Sequence, residues 1–493
     1  MRTLALDRRS PATSGATALL IVSGGALSLG AGWLITFPWG IRFVLVGCAA
    51  ALVVAAGLVA PRSVLYGLIV WLAVLGLARR LVSASSQGSL LDPLLLVGPV
   101  ALVVLVAVAA RRGAFVGLST LSKLVLALSA LAVLGCLNPL QGSLQTGLAG
   151  LLFMVVPTLA FWVGRGLVDD RSLSRLLKLV AGLAVAASAY GLVQSFSHFP
   201  SWDEAWIRNS GYAALNVNGS LRPFGTFSSA QEYALFVAVG LGGLFLFRSK
   251  LARLPALFAA VPLLGVAVFY ASSRSVVFTV VLATGVALAA RARLSAMIAG
   301  LVAALCLVAV TLLASQYAPA GGETSSTTAA LASHQLQGLA DPFNSASSTL
   351  LGHLELGGQG LRSALVYPLG IGTGSVSIAA GKFGGQTAGT ELDVSNAAVA
   401  LGIPGLLIYL GILVFGLSAA YRVAAKRRDA LAVVALFVIV VTALQWLNGG
   451  LYAVAPLPWL LLGWIDRAGP LGRVRGVRPR GAQVRRPMAA KYG

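Results

Sequence analysis

Two arginines, an acidic pair and a histidine are the residues of this chain whose types and positions could do chemistry. Arg222 stands in Leu221-Arg222-Pro223-Phe224-Gly225-Thr226-Phe227, just ahead of an apolar run, and Arg274 stands in Ser272-Ser273-Arg274-Ser275, at the start of another. A guanidinium stays charged and offers two parallel N–H donors, the geometry that suits a phosphate. Two such groups at one membrane face could hold a lipid pyrophosphate; the alternative is that each only snorkels to the interface. Glu391 and Asp393 lie at the entry to the apolar run that contains Gly402-Ile403-Pro404-Gly405. A partly buried carboxylate there could act as a general base, or it could simply be an N-terminal charge favoured by the helix dipole. His353 and Glu355 are candidates for acid–base work or for hydrogen bonds to a sugar, against the plainer reading of solvated side chains; His198 and His334 have weaker cases. Asp203-Glu204, set between Trp202 and Trp206, is an acidic pair, but the sequence has no Asp-x-Asp and no histidine cluster at ligand spacing, so no metal is expected. Gly370–Gly374 lacks the preceding strand and the following Lys-Ser/Thr of a phosphate loop and reads as a turn.

The elements that must position these residues are membrane spans. The chain has 493 residues, of which 58% are hydrophobic and only 10% charged, with a mean hydropathy of +0.89. A soluble domain carries about 25% charged residues, so the composition describes an all-α polytopic membrane protein, a helical bundle of about 12–14 spans. Apolar runs fall at 16–37, 43–60, 64–78, 93–110, 124–140, 147–164, 176–196, 230–247, 253–271, 275–290, 295–314, 395–420, 429–447 and 452–465. The third is short, and the second and third could together be one re-entrant hairpin. The first is too long for a signal peptide and reads as a span. Cys48, Cys136 and Cys306 all lie inside apolar runs and read as small core residues.

The net charge of +22 is explained by topology rather than by nucleic acid. With the N-terminus (1–15) inside, the basic residues concentrate on the cytoplasmic connections and in a Gly- and Pro-rich tail, 467–493, while most acids fall outside. Arg79-Arg80 is the clear violation. This bias puts two long polar segments on the outer face: 197–229, within the first block of spans (16–314), and 315–393, which precedes the C-terminal spans (394–466). Within the second, Gly321-Gly-Glu-Thr-Ser-Ser-Thr-Thr reads as mobile. Residues 346–366 carry leucines at 350, 354, 361 and 365, the stripe of an amphipathic helix. Gly357, Gly358 and Gly360 should break that helix, since each weakens it by about 1 kcal/mol relative to Ala.

Taken in order, four segments resemble the O-antigen polymerase and ligase family of bacterial cell envelopes. They are Arg222-Pro-Phe-Gly-Thr-Phe before a span, Ser273-Arg274-Ser275 opening a span, Tyr367-Pro-Leu-Gly-Ile-Gly-Thr-Gly374 after the amphipathic segment, and Glu391 followed by ten residues and Gly402-Ile-Pro-Gly405. The match covers about residues 145–465. The resemblance implies a membrane-embedded glycosyltransferase fold, multi-pass in a bacterial plasma membrane with both termini cytoplasmic. It implies a polyprenyl-pyrophosphate-linked glycan donor held by Arg222 and Arg274 at the outer face beneath the long loop, and a glycan acceptor. Ligases of the family have a histidine where this chain has Glu391, which favours a polymerase-like member. Ser348-Thr-Leu-Leu-Gly-His353-Leu-Glu355 is similar to polymerases of exported polysaccharides and makes His353 a second candidate base. Arg362 looks like the further basic residue of that loop, and Asp393 is a further substrate-binding candidate. Pyrophosphate is already a good leaving group, so neither a nucleotide nor a metal cofactor is required. Membrane lipids, and proteins that flip the donor or set chain length, are the natural partners. Transfer of a finished glycan to a lipid or protein acceptor, and transport of a lipid-linked glycan, are the alternative activities.

Overall fold

A run of apolar residues long enough to cross a bilayer can satisfy its backbone only as a helix, and the computed structural model is built that way. It describes residues 40–468 apart from 84–91, 211–215, 218–219, 248–255, 318–326, 345–347, 378, 386 and 391. The expected first span at 16–37, the Gly321–Thr328 stretch up to residue 326, the tail beyond 468 and Glu391 itself therefore lie outside the described residues. In chain order the helices are α1 (Gly40–Val59), α2 (Pro61–Ser83), α3 (Val97–Arg111), α4 (Thr120–Gly135), α5 (Leu144–Met154), α6 (Leu159–Leu167), α7 (Asp170–Phe196) and α8 (Ser201–Ser210). A small antiparallel ribbon follows, β1 (Asn216–Val217) with β2 (Ser220–Leu221). Then come α9 (Ala230–Leu244), α10 (Ala256–Tyr270), α11 (Arg274–Ala292), α12 (Ala296–Tyr317), α13 (Thr327–Ala340), α14 (Leu350–Val366), α15 (Ala379–Lys382), α16 (Asp393–Arg427), α17 (Ala430–Val441) and α18 (Pro456–Ala468).

Among the described residues, nine helical segments are long and apolar enough to cross a membrane, and three shorter apolar helices accompany them. Every expected span from 43–60 onward coincides with one helix or, at 147–164, with the pair α5–α6. The second and third runs are two separate helices of 20 and 23 residues rather than a re-entrant hairpin. Outward faces carry large apolar side chains: Leu301, Leu305, Val308, Leu312 and Leu313 on α12 are all exposed, as are Leu52, Leu58 and Val59 on α1. A water-facing surface does not present stripes of this kind; hydrocarbon accepts them. Cys136 is buried as a core residue, whereas Cys48 is exposed on the outer face of α1.

Two glycine-rich motifs that lie apart in the sequence interlock in the structure. Pro404 has no N–H, so the carbonyl of Ala400 loses its helical partner. Gly372 N–H donates to that oxygen at 3.0 Å, and Ile371 N–H donates to Val399 O at 2.9 Å. Ile403 N–H in turn leaves the helix and donates to Pro368 O at 2.9 Å. The bend this requires is at Gly402, whose φ of 65° and ψ of −155° fall outside the helical region and in a region essentially reserved for glycine. Buried Gln141 closes the joint from the α4–α5 side, its Oε1 accepting from Gly374 N–H at 3.0 Å, and Asn138 Nδ2 donates to Gly370 O at 2.9 Å. Gly402→Ala would place a Cβ against the Pro368 carbonyl as well as strain the backbone. We expect a loss of about 3 kcal/mol or more, strain and overlap combined, visible as a lowered unfolding midpoint of the purified protein in detergent.

The expected break in the amphipathic segment is absent. Helix α14 runs without interruption through Gly357, Gly358 and Gly360. Gly357, Gly360 and Ala364 are its buried positions, and they form a small-residue seam against α16. At Gly360 a Cβ would crowd Thr390 and Ser395, and at Gly357 it would press on Leu392. Close packing thus offsets the low helix propensity of these glycines. Of the expected stripe, Leu350 is half-buried and Leu354, Leu361 and Leu365 stay exposed, so the leucines face outward and the small residues inward.

Candidate anion-binding site

The site begins where α10 ends. The carbonyl of Ala271 lies beyond the last helical residue and lacks an intrahelical donor, as the final carbonyls of any helix do. Arg222, which follows β2, supplies one: its Nε donates to Ala271 O at 2.8 Å. The chain then turns in three residues. Ser272 adopts a left-handed φ of 52°, Ser273 is the N-cap of α11, and Arg274 is the first helical residue. The Ser273 hydroxyl caps no backbone amide but donates to Gln231 Oε1 at 2.7 Å on α9. The two arginines expected to act together are therefore attached to the two sides of one tight turn, at the positive end of a 19-residue helix.

Helix α13, from the long polar segment, packs over this turn, against α10, α11, α12 and β2. Its His334 lies between Ser272 and Arg274: Nδ1 is 2.8 Å from Ser272 Oγ and Nε2 is 2.7 Å from Arg274 Nη2. A guanidinium only donates, so Nε2 is the acceptor, the proton sits on Nδ1, and the imidazole is neutral and donates to Ser272 Oγ. One turn further on, Gly338 leaves room for the arginine; a Cβ there would overlap the Arg274 guanidinium. Burial first, and then the charges of Arg274 and Arg222, hold His334 down to about 4. Burial, with the adjacent Arg274, likewise lowers Arg222 to about 10. Each cation thus disfavours charge on its neighbours, the electrostatic setting that an anion relieves. Gly338→Ala is expected to leave the fold intact, since Ala is the better helix former by about 1 kcal/mol. It should weaken the binding of an anion at this turn by about tenfold, or 1.4 kcal/mol, as measured by calorimetry with pyrophosphate as the probe alongside thermal unfolding.

A second layer fixes the segment that carries Arg222. Arg80 of α2, fully buried, donates through Nη2 to Gly225 O at 2.6 Å and stacks 4.6 Å from the Phe224 ring centroid. Its Nη1 meets Asp203 Oδ1 at 3.0 Å, also fully buried. Asp203 Oδ2 accepts from Tyr190 OH and from Gln194 Nε2, each at 2.7 Å. Gln194 Oε1 then accepts the amides of Phe224 and Gly225 at 3.0 and 2.8 Å. Arg79 pairs with Asp92 at 2.5 Å and lies over Trp206. The apparent violation of the charge pattern at Arg79-Arg80 is therefore a pair of partly or wholly buried ion pairs. Asp203, weighed as half of a metal-binding pair, is the partner of Arg80, and Glu204 is exposed and 3.6 Å from Arg208.

The other candidates lie elsewhere. Asp393 is fully buried at the start of α16, where Oδ2 accepts from Tyr409 OH at 2.7 Å and from Leu447 N–H at 2.8 Å. Through these bonds the carboxylate ties α16 to the loop between α17 and α18, away from the arginine-bearing turn. His353, Glu355 and Arg362 sit on α14, which docks on α16 rather than over the arginine-bearing turn; His353 shares a hydrogen bond of 3.0 Å with Thr349, and Glu355 and Arg362 are exposed. Gly370–Gly374 is the structural joint described above, in keeping with its reading as a turn. Sequence reasoning missed Gln194, ranked His334 only among the weaker histidine candidates, and noted Arg80 as a charge-pattern violation without a role. The charge-pattern violation was a usable signal for Arg80, while nothing local distinguishes Gln194 or His334. An apolar groove of about 640 Å³ lies at the far edge of the joint, lined by residues that include Leu134, Leu137, Pro139, Tyr367, Leu369 and Leu401.

No protein-family model matches the chain, and no curated protein matches it significantly. The fold and site thus define a class: a helical protein with many potential membrane spans and a paired-arginine turn covered by helix α13 of the long polar segment.

Proposed function

We propose that the protein is a polysaccharide polymerase of the plasma membrane, which transfers a glycan from a polyprenyl-pyrophosphate carrier to an acceptor sugar hydroxyl at the outer face. The observation that carries this reading is the meeting of Arg222 and Arg274 on one turn under α13. The resemblance to O-antigen polymerases and ligases names the same two residues as diphosphate ligands, from sequence alone. In the reaction, the acceptor oxygen attacks the anomeric carbon, the bond from that carbon to the pyrophosphate oxygen breaks, and the electron pair leaves with the diphosphate. One in-line displacement inverts the configuration. The two guanidinium groups offset the charge that grows on the leaving group, with charge-assisted hydrogen bonds of about 1.5–3 kcal/mol each. Glu391 is the residue the resemblance assigns to take the hydroxyl proton, with His353 the second candidate. A glycan ladder tests the reading in cells: Arg222→Ala and Arg274→Ala should leave single repeat units on the carrier, and a wild-type ladder from both variants contradicts it.

A further inference from the structure

His334 does more than pack against the arginine. Its Nε2, at 2.7 Å, takes one of the Arg274 donors, where a phosphate oxygen would otherwise sit at about 2.7–2.9 Å. Its Nδ1–H is spent on Ser272 Oγ. An anion that takes over Arg274 Nη2 must displace this nitrogen, and the released lone pair then faces an oxyanion rather than a cation. Among the described residues, the charges acting on the ring are Arg274 of α11 and Arg222 beside β2; the helices α7, α10 and α12, also packed on α13, add none. Once a diphosphate neutralises those two cations, what remains next to the imidazole is negative charge and a carrier oxygen within reach of a hydrogen bond.

We propose that His334 is a proton-coupled third ligand for the diphosphate: binding at Arg222 and Arg274 displaces Nε2 from Arg274, and that nitrogen takes a proton from solvent and donates it as an N–H to a phosphate oxygen. The inference rests on the reading of this turn as a diphosphate site and assigns the site a third ligand and a dependence on pH. No bond other than N–H is made, and the proton is the only species taken up. By linkage, the affinity then falls with rising pH, by up to about tenfold per unit between the free-state value of the histidine and its higher bound-state value, and levels off above the latter.

The test uses the full-length protein in detergent, with inorganic pyrophosphate as the probe, titrated by calorimetry at pH 7 in two buffers of different ionisation enthalpy. The wild type should take up more protons per pyrophosphate than His334→Gln does, by about one at most. Gln still offers an oxygen to Arg274 but cannot be protonated, and the titration of pyrophosphate itself is common to both proteins. Equal uptake in the two proteins, with binding intact, overturns the role of His334 alone. Absence of any binding to the wild type overturns it together with the diphosphate reading. Nitrogen NMR of the wild type gives a readout independent of the variant, because the chain has only three histidines: one should pass from the neutral Nδ1–H form to imidazolium on addition of pyrophosphate, and three unchanged spectra overturn the proposal.

Discussion

Asp203→Ala is expected to destabilise the protein by about 3–5 kcal/mol, the usual result of removing one partner from a fully buried ion pair. Arg80 and Asp203 are both completely enclosed, at 3.0 Å from each other. With the carboxylate gone, a guanidinium remains desolvated beside an aromatic ring, and Tyr190 OH and Gln194 Nε2 lose their acceptor. Gln194 is the side chain that holds the Phe224 and Gly225 amides, so the segment after Arg222 should loosen along with the core. Removing both charges is a different experiment. Arg80→Met combined with Asp203→Leu should lose less than the two single changes summed, because apolar replacement of a whole buried pair is often nearly neutral. Unfolding midpoints in detergent for the two single variants and the double variant check this. Single variants as stable as the wild type contradict the assignment of this pair as the anchor of the Arg222 segment.

Arg222→Ala and Arg274→Ala carry the opposite signature. Each removes a fork expected to make two charge-assisted hydrogen bonds to the diphosphate, worth together about 3–6 kcal/mol, so turnover should fall by about two to four orders of magnitude. Stability should fall by less than at Asp203, by about 1 kcal/mol for Arg274→Ala and about 1–3 kcal/mol for Arg222→Ala, which leaves Ala271 O without its donor. Arg222 gives up its bond to Ala271 O, but a buried guanidinium whose charge the neighbouring Arg274 disfavours has also been removed. Lysine at either position keeps the charge and loses the fork, and an intermediate rate is expected. The double variant should fall short of the product of the single losses, since the two groups share one ligand. Initial rates of glycan extension, measured beside thermal unfolding, separate this pattern from the one at Asp203.

Much of the architecture was legible because hydropathy is a local property. The apolar runs from 43–60 onward each mark a helix or, at 147–164, a pair of helices, and the alternative of a re-entrant hairpin gives way to the two separate helices α1 and α2. Long-range partners were not legible. The glycines at 370–374 and at 402–405 read as a turn and a family signature, yet their shared role depends on one missing N–H at Pro404, whose consequence lies in another segment. The glycines of α14 read as breakers because propensity is local, whereas the α16 surface that rewards their small size is not. In the site, Arg222 and Arg274 were visible as charges at the edges of apolar runs. His334 carried no such mark: a single histidine in a polar stretch gains its meaning only when α13 is laid across the 271–273 turn.

The most direct measurement is turnover of a defined polyprenyl-pyrophosphate oligosaccharide by the purified protein, with and without a chelator. The wild type is expected to produce longer glycans and free polyprenyl pyrophosphate, the chelator to have no effect, and Arg222→Ala and Arg274→Ala to be folded but nearly inactive. No extension by the wild type, or extension at an unchanged rate by both arginine variants, would contradict the proposed function.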